Sequence, residues 1–230
     1  MKKPNSFSLQ SLFFDLDGTL LDTAPDLSFA LNQVLQEHQL PPVPLEEIRP
    51  FVAHGARGMI TQGFHIDERH PQYDHIKHTF LTVYRQHLTD HTRFFAGMET
   101  VLDYLDARSL PWGIVTNKPG WLTEPLLAHF ALQHRYACLI SGDTLTKRKP
   151  EPEPLQEACR LTGTEPQHSL YIGDTQEDIL AARRAGMPAL LARYGYSRAD
   201  SHLHEWQPTG IVTTPLDIIA WVQQHEEENR

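Results

Sequence analysis

Two aspartates, Asp15 and Asp17, are the first residues along the chain whose type and spacing suggest chemistry. They follow an apolar run and precede Gly18, which predicts a buried strand that ends in a tight turn. Because side chains alternate along a strand, the two carboxylates face the same side. One could attack a phosphorus atom while the other transfers a proton, and a divalent cation would offset their repulsion. The alternative is an ordinary strand with an Asp-Gly turn.

Two polar segments could bind an anion. Thr116, Asn117 and Lys118 follow a second apolar run, and their hydroxyl, amide and ammonium groups could bind phosphate oxygens. Lys149 precedes Pro150 in a proline-rich stretch, and the proline favours an extended, stiff backbone at the lysine. Such a lysine could neutralise a phosphoryl group during its transfer. Each segment could also be an ordinary polar or basic loop.

A second acidic pair, Asp174 and Asp178, lies between a third apolar run and a predicted helix. Asp174 is at the end of the predicted strand, and Asp178 is at the start of the helix. Their carboxylate oxygens suit a hard cation such as Mg²⁺. The alternative is a helix N-terminus whose acidic residues complement the helix dipole.

The elements that must position these groups alternate between strands and helices from about residue 95 onwards. This order is typical of an α/β fold, a doubly wound Rossmann-like parallel sheet with helices on both faces. In such folds ligands bind beyond the carboxyl ends of the strands, so the four polar groups should meet there. The predicted strands are 12–16, 112–115, 137–140, 170–172, 189–192 and 210–212, and the predicted helices are 98–107, 122–130, 154–161, 178–185 and 216–222.

Residues 23–93 break this alternation and contain no convincing strand. Apolar residues four, seven and eight positions after Leu27 have the spacing of an amphipathic helix. Further along the insertion, Tyr84 is predicted to pack in a hydrophobic core. We therefore predict a small α-helical domain, residues 23–93, inserted after the first strand of an α/β domain made of residues 1–22 and 94–230. Further helices in the insertion are predicted at 48–51, 58–64 and 73–87.

The composition excludes several classes of protein. With 230 residues, the chain can bury a core without disulfides, and its two cysteines favour a reducing compartment. The net charge of −9 argues against a nucleic-acid partner but is compatible with an anionic substrate bound beside a cation. We find no signal peptide and no apolar stretch of the roughly 20 residues that a membrane span needs. A cytoplasmic protein without a membrane partner is therefore expected.

Taken in order, these motifs resemble the phosphatase branch of the haloacid dehalogenase superfamily. The residues that match its four motifs are Asp15-Leu-Asp17-Gly-Thr, Thr116, Lys149 and Gly173-Asp174 with Asp178. The segments 14–23 and 115–119 resemble the phosphoglycolate phosphatases, as does a helical cap between the first and second motifs. The segments 54–59, 112–119 and 193–196 also resemble an offshoot of that group, the N-acetylmuramic acid 6-phosphate phosphatases.

The resemblance implies a catalytic role for four residues. Asp15 would be the nucleophile that forms an aspartyl-phosphate, and Asp17 would protonate the leaving group and then activate water. Thr116 and Lys149 would bind the phosphoryl oxygens. An aspartate at position 17 favours phosphate chemistry, because the dehalogenases of the superfamily lack it.

The resemblance also implies a Mg²⁺ cofactor. Asp15 and Asp174 would supply carboxylate ligands, Asp17 would contribute its backbone carbonyl, and Asp178 would support the site directly or through water.

The helical cap would close over the site, exclude water and contact the leaving group. Within it, Arg57 lies between glycines and could bind a substrate carboxylate in a bidentate way, or it could be an exposed residue at a helix start. The predicted function is a Mg²⁺-dependent phosphomonoesterase for a small acidic phosphorylated metabolite, with 2-phosphoglycolate first. The alternatives are N-acetylmuramic acid 6-phosphate, a broader sugar-phosphate or nucleotide specificity, and a non-catalytic binding protein. Monomer and homodimer both fit the sequence.

Overall fold

A computed structural model describes residues 9–197 and 203–227 of the chain. Its strands are β1 Ser11–Phe14, β2 Leu21–Asp22, β3 Arg93–Phe94, β4 Trp112–Val115, β5 Cys138–Ile140, β6 Ser169–Gly173, β7 Ala189–Ala192 and β8 Gly210–Val212. Six of them form one parallel sheet in the order β5-β4-β1-β6-β7-β8, while β2 and β3 form a separate antiparallel pair. The predicted α/β fold is confirmed.

The helices are α1 Ala24–Glu37, α2 Leu45–Val52, α3 Gly55–Phe64, α4 Tyr73–Gln86, α5 Met98–Ala107, α6 Gly120–His129, α7 Glu153–Thr162, α8 Gln176–Ala185, α9 Leu203–Trp206 and α10 Leu216–Glu227. Helices α5–α8 and α10 cover the two faces of the sheet. Within the described residues, no helix is both long and apolar enough to cross a membrane.

The apolar runs form strands because the sheet is buried on both faces. Leu12 and Phe14 of β1 pack in a cluster with residues of α5, α6 and α10, whereas Phe13 packs in a second cluster with residues of α7 and α8. A strand with helices on both sides needs apolar residues at consecutive positions rather than at alternate ones. This burial holds the carboxyl ends of the strands in one fixed row.

Helices α1–α4 pack around a separate hydrophobic cluster. Its fully buried members include Leu31, Ile60 and Phe80, and Tyr84 lies in it as predicted. Leu122 of α6 and Tyr196 also join this cluster, so the four helices contact the α/β part of the chain there.

The chain leaves the sheet and returns to it through the short antiparallel pair. In this pair Leu21 lies opposite Phe94, and Asp22 lies opposite Arg93. The sequence pattern does not predict these strands, because two residues are too few to show a periodicity of two. The pair brings the two ends of the helical segment side by side, next to the end of β1.

Candidate active site

Three of the predicted site residues directly follow neighbouring strands of the sheet. Asp15 comes after β1, Thr116 after β4 and Asp174 after β6, and β1 lies between the other two. From β1 the chain first continues to β4, which pairs with one edge of β1. It later reaches β6, which pairs with the other edge of β1. This is the switch in strand order at which open α/β sheets form a crevice. The structure therefore brings these three residues to one place.

Lys149 lies in this crevice and donates three hydrogen bonds from its ammonium group. Its Nζ is 2.8 Å from Oδ1 of Asp15, 2.7 Å from Oδ1 of Asp178 and 2.8 Å from Oη of Tyr171. Only 3% of the lysine side chain is exposed. Tyr171 has acceptors for its own proton in the carbonyl of Val115 at 2.9 Å and in Asp178 at 3.0 Å. A buried cation is thus held against Asp15.

Asp15, Asp174 and Asp178 form a buried acidic cluster. One carboxylate oxygen of each lies within 4.8 Å of the others. Burial raises the pKa of Asp15 from 3.8 to about 7, an effect that Lys149 opposes and Asp178 reinforces. Burial and the two neighbouring carboxylates likewise raise the pKa of Asp174 well above its ordinary value. A cation bound here would favour the ionised carboxylates, and a set of carboxylate oxygens fits Mg²⁺.

The backbone packs closely around Asp174. Its Oδ2 accepts a hydrogen bond from the amide of Tyr196 at 2.8 Å, and its Oδ1 lies 3.4 Å from the hydroxyl of Thr19. Gly18 has a φ of +85°, and a Cβ at this position would clash with the Asp174 carboxylate. A glycine is therefore required both by the backbone conformation and by the space.

Asp178 combines the two roles that its sequence position left open. It is the third residue of α8, where its Oδ2 accepts bonds from the amide and the hydroxyl of Thr175 in a capping box. Its Oδ1 accepts from Lys149 and Tyr171. Because each oxygen of Asp178 already accepts two hydrogen bonds, against one for each oxygen of Asp174, Asp178 suits the support of a metal site better than direct ligation.

Asp17 lies outside the three-carboxylate cluster and makes different contacts. Lys118 Nζ donates to both of its oxygens, at 2.9 and 3.2 Å, and the Thr23 hydroxyl donates to Oδ1 at 2.6 Å. Its side chain keeps 21% of its surface exposed. Lys118 Nζ also donates to the hydroxyl of Tyr84 at 2.7 Å. The carboxylate is thus fixed in orientation but remains open to solvent.

Asn117 holds the backbone of Lys149 on both sides. Its Oδ1 accepts from the Lys149 amide at 3.1 Å, and its Nδ2 donates to the Lys149 carbonyl at 3.0 Å and to Glu177 at 3.1 Å. Thr116 is buried, and its Oγ1 accepts from the Lys118 amide at 3.2 Å. No acceptor in the described part of the chain takes the Thr116 hydroxyl proton, which leaves that proton for a ligand.

Arg57 is exposed on α3, and none of its side-chain atoms hydrogen-bonds to the described residues of the carboxylate cluster. It lies near Tyr73. Burial and the charge of Glu68 raise the pKa of Tyr73, and Arg57 opposes this rise. A different arginine of the helical segment reaches the α/β part: Arg49 of α2 makes two hydrogen bonds of 2.9 Å to Asp22.

Three tyrosines contact the site without having been singled out for it in the sequence: Tyr84, Tyr171 and Tyr196. One signal was available for Tyr171, which lies between apolar residues in the middle of a buried strand. A buried tyrosine hydroxyl needs a hydrogen-bond partner, and the carboxyl edge of the sheet supplies one. Tyr84 offers no such signal, since its spacing is that of an ordinary core residue.

Comparisons with known proteins agree with this geometry. Residues 12–192 match the family model for haloacid dehalogenase-like hydrolases. A phosphoglycolate phosphatase of Xanthomonas campestris pv. campestris is 40% identical over 218 residues, which cover 93% of this chain and 98% of that one. An N-acetylmuramic acid 6-phosphate phosphatase of Pseudomonas aeruginosa is 36% identical over 211 residues, covering 92% and 93%. The crystal structure of a predicted phosphoglycolate phosphatase from Haemophilus somnus superposes with a TM-score of 0.83 at 27% identity, covering 94% of this chain and 98% of that one.

Proposed function

The chain belongs to the haloacid dehalogenase-like hydrolase family and is a phosphatase, and on that premise we propose that it hydrolyses a small acidic phosphomonoester through an aspartyl-phosphate on Asp15. One observation carries the proposal. The buried ammonium of Lys149 is held between Asp15 and Asp178, beside Asp174, at the carboxyl edge of the sheet. A nucleophilic carboxylate, a cation and a metal-binding acidic cluster are the groups that phosphoryl transfer requires.

In the first step a carboxylate oxygen of Asp15 attacks phosphorus. Lys149 holds Oδ1 of Asp15, which leaves the second oxygen to form the new bond to phosphorus. The positive charge of Lys149 reduces the repulsion between the carboxylate and the phosphate dianion. Thr116 donates its free hydroxyl proton to a phosphoryl oxygen, and Asn117 keeps Lys149 in place through the lysine backbone.

Asp17 moves the proton in both steps. It protonates the leaving oxygen as the ester P–O bond breaks, and it then takes a proton from the water that attacks the aspartyl-phosphate. Its partial exposure and its separation from the three-carboxylate cluster suit a group that must meet both the leaving group and water.

Mg²⁺ is the cofactor that the donor set fits. Asp15 and Asp174 would hold it with the backbone carbonyl of Asp17, and Asp178, which is paired with Lys149, would support the site. When bound, the ion supplies positive charge that offsets the repulsion between the acidic residues and the phosphate.

Residues 23–93 form, in this proposal, the cap over a core made of residues 1–22 and 94–230. Support comes from the separate hydrophobic cluster of α1–α4 and from the Arg49–Asp22 ion pair across the junction. Arg57 is the cap residue proposed to contact a carboxylate on the substrate, which requires its exposed side chain to turn toward the site when substrate binds.

For the substrate we place 2-phosphoglycolate first and N-acetylmuramic acid 6-phosphate second. The 40% identical relative is named for the former, and the 36% identical relative for the latter. Both molecules carry a carboxylate, so Arg57 alone does not discriminate between them.

The test is to measure kcat/KM for both esters side by side with Mg²⁺. A preference of a hundredfold or more, roughly 2.7 kcal/mol of transition-state discrimination, identifies the substrate. EDTA-treated enzyme and Asp15→Asn are the controls, and both should be inactive. Weak and similar rates on the two esters would reject both substrates, and full activity of Asp15→Asn would reject the mechanism.

A further inference from the structure

Tyr84 of α4 contacts Lys118, the residue two positions beyond Thr116. The Lys118 ammonium donates to the Tyr84 hydroxyl at 2.7 Å and lies 4.6 Å from the centre of the aromatic ring. The tyrosine is 1% exposed, and the lysine side chain is 6% exposed. A residue of the helical segment thus binds a buried cation at the edge of the sheet.

The same ammonium holds Asp17. It donates to Oδ1 at 2.9 Å and to Oδ2 at 3.2 Å, so the two carboxylate oxygens and the tyrosine hydroxyl accept all of its protons. A lysine side chain has four rotatable bonds and needs several contacts to stay in one conformation. Tyr84 supplies the contact that Asp17 does not.

The proposed reaction changes the charge on Asp17 twice in each turnover, since the residue first gives up a proton and later accepts one. When Asp17 is protonated, Lys118 loses its ionic partner. The hydroxyl and the ring of Tyr84 still bind the ammonium, because both are neutral groups that attract a cation. Burial keeps the pKa of Tyr84 well above its ordinary value, so its hydroxyl stays neutral throughout.

We propose that Tyr84 is a positioning residue for the leaving-group step: it retains Lys118 beside Asp17 and thereby keeps the Asp17 carboxyl aimed at the leaving oxygen. In that step the Asp15 oxygen–phosphorus bond forms, the ester P–O bond breaks and the Asp17 proton passes to the departing oxygen. The inference rests on the proposed function, because it takes from there the role of Asp17. It adds that protonation of the leaving group depends on α4 being packed against the sheet edge.

The experiment compares Tyr84→Phe with Tyr73→Phe. Both tyrosines are buried on α4, but the Tyr73 hydroxyl has no hydrogen-bond partner in the described part of the chain, so Tyr73→Phe is the matched control. Each variant is assayed for kcat/KM with the preferred alkyl phosphate and with 4-nitrophenyl phosphate. Because 4-nitrophenolate departs without a proton, only the alkyl ester needs the general acid.

We expect Tyr84→Phe to lose about tenfold in kcat/KM on the alkyl ester and less than about twofold on 4-nitrophenyl phosphate. The tenfold loss is only a part of what general acid catalysis contributes, because Asp17 itself is still present. Tyr73→Phe should match the wild type on both esters. In a Lys118→Met background, Tyr84→Phe should lose much less than it does in the wild type, because the ammonium that its hydroxyl binds is gone. If Tyr84→Phe does not fold, Lys118→Met alone should show the same selective loss on the alkyl ester.

Equal losses on the two esters, or a loss in the Lys118→Met background as large as that in the wild type, would overturn the inference and leave Tyr84 a purely structural residue. Asp15→Asn separates this failure from that of the proposed function. If Asp15→Asn is inactive while Tyr84→Phe behaves like Tyr73→Phe, only the role of Tyr84 is wrong. If Asp15→Asn keeps wild-type turnover, the reaction scheme itself is wrong.

Discussion

The hydroxyl of Tyr171 should be among the most important single polar groups for the stability of this fold. It accepts a hydrogen bond from Lys149 at 2.8 Å and has the Val115 carbonyl as an acceptor at 2.9 Å. Tyr171 and Lys149 are both buried. Tyr171→Phe keeps the ring but leaves one ammonium proton and one carbonyl oxygen without these partners.

The expected loss follows from these two bonds. A hydrogen bond to a charged group contributes about 1.5–3 kcal/mol and a neutral one about 1 kcal/mol, so the free energy of unfolding should fall by about 2.5–4 kcal/mol. For a chain of this length each kcal/mol lowers the melting temperature by about 2–4 °C, which gives a decrease of roughly 5–15 °C.

Urea unfolding and thermal melting of the metal-free protein measure this loss. Tyr104→Phe is the matched control, because the Tyr104 hydroxyl is buried but has no hydrogen-bond partner among the described residues. Its removal should change the free energy of unfolding by less than about 0.5 kcal/mol. A Tyr171→Phe protein as stable as Tyr104→Phe would refute the conclusion that this hydroxyl anchors Lys149.

Three further predictions concern the lysine loop, the acidic cluster and the cap. Asn117→Ala should lower kcat/KM about tenfold or more, because it frees the Lys149 backbone, whereas Glu177→Ala should stay near the wild-type value. The pKa of Asp15 is raised from 3.8 to about 7, so the folded metal-free protein binds a proton that the unfolded chain has released. Its stability in urea should therefore fall as the pH rises through that window, and saturating Mg²⁺ should flatten the decline; a metal-free stability that rises with pH would contradict this. Arg57→Ala should raise KM several-fold at unchanged kcat, and an unchanged KM would exclude Arg57 from substrate binding.

The strands of the sheet could be predicted because their burial leaves a simple pattern. Segments 112–115 and 189–192 are strands over the predicted residues, since a strand buried on both faces is apolar throughout. Segment 210–212 is also a strand over the predicted residues, although it lies at the sheet edge and Ile211 is exposed. Helix α6 begins two residues before its predicted start. The prediction began too late because a glycine such as Gly120 is typical of a loop, although its backbone here is already helical. The β2–β3 pair is too short to leave any periodic signal.

The candidate site could be predicted where it follows from strand ends, and not where it depends on pairs of distant side chains. Asp15, Thr116 and Asp174 each directly follow a strand, so their meeting follows from the order of strands. The contact between Tyr84 and Lys118 joins residues 34 positions apart on two separate elements. Local periodicity identifies Tyr84 as a buried residue but carries no information on which polar group its hydroxyl meets.

Trapping the covalent intermediate tests the mechanism most directly. Enzyme turning over its preferred ester with Mg²⁺ is quenched in acid, digested and analysed by mass spectrometry, with hydroxylamine-treated and Asp15→Asn samples in parallel. We predict one phosphoryl group on Asp15, removed by hydroxylamine as an acyl phosphate should be, and neither label nor turnover in Asp15→Asn. A phosphoryl group on another residue, or an Asp15→Asn protein that still hydrolyses the ester, would contradict the assignment of Asp15 as the nucleophile.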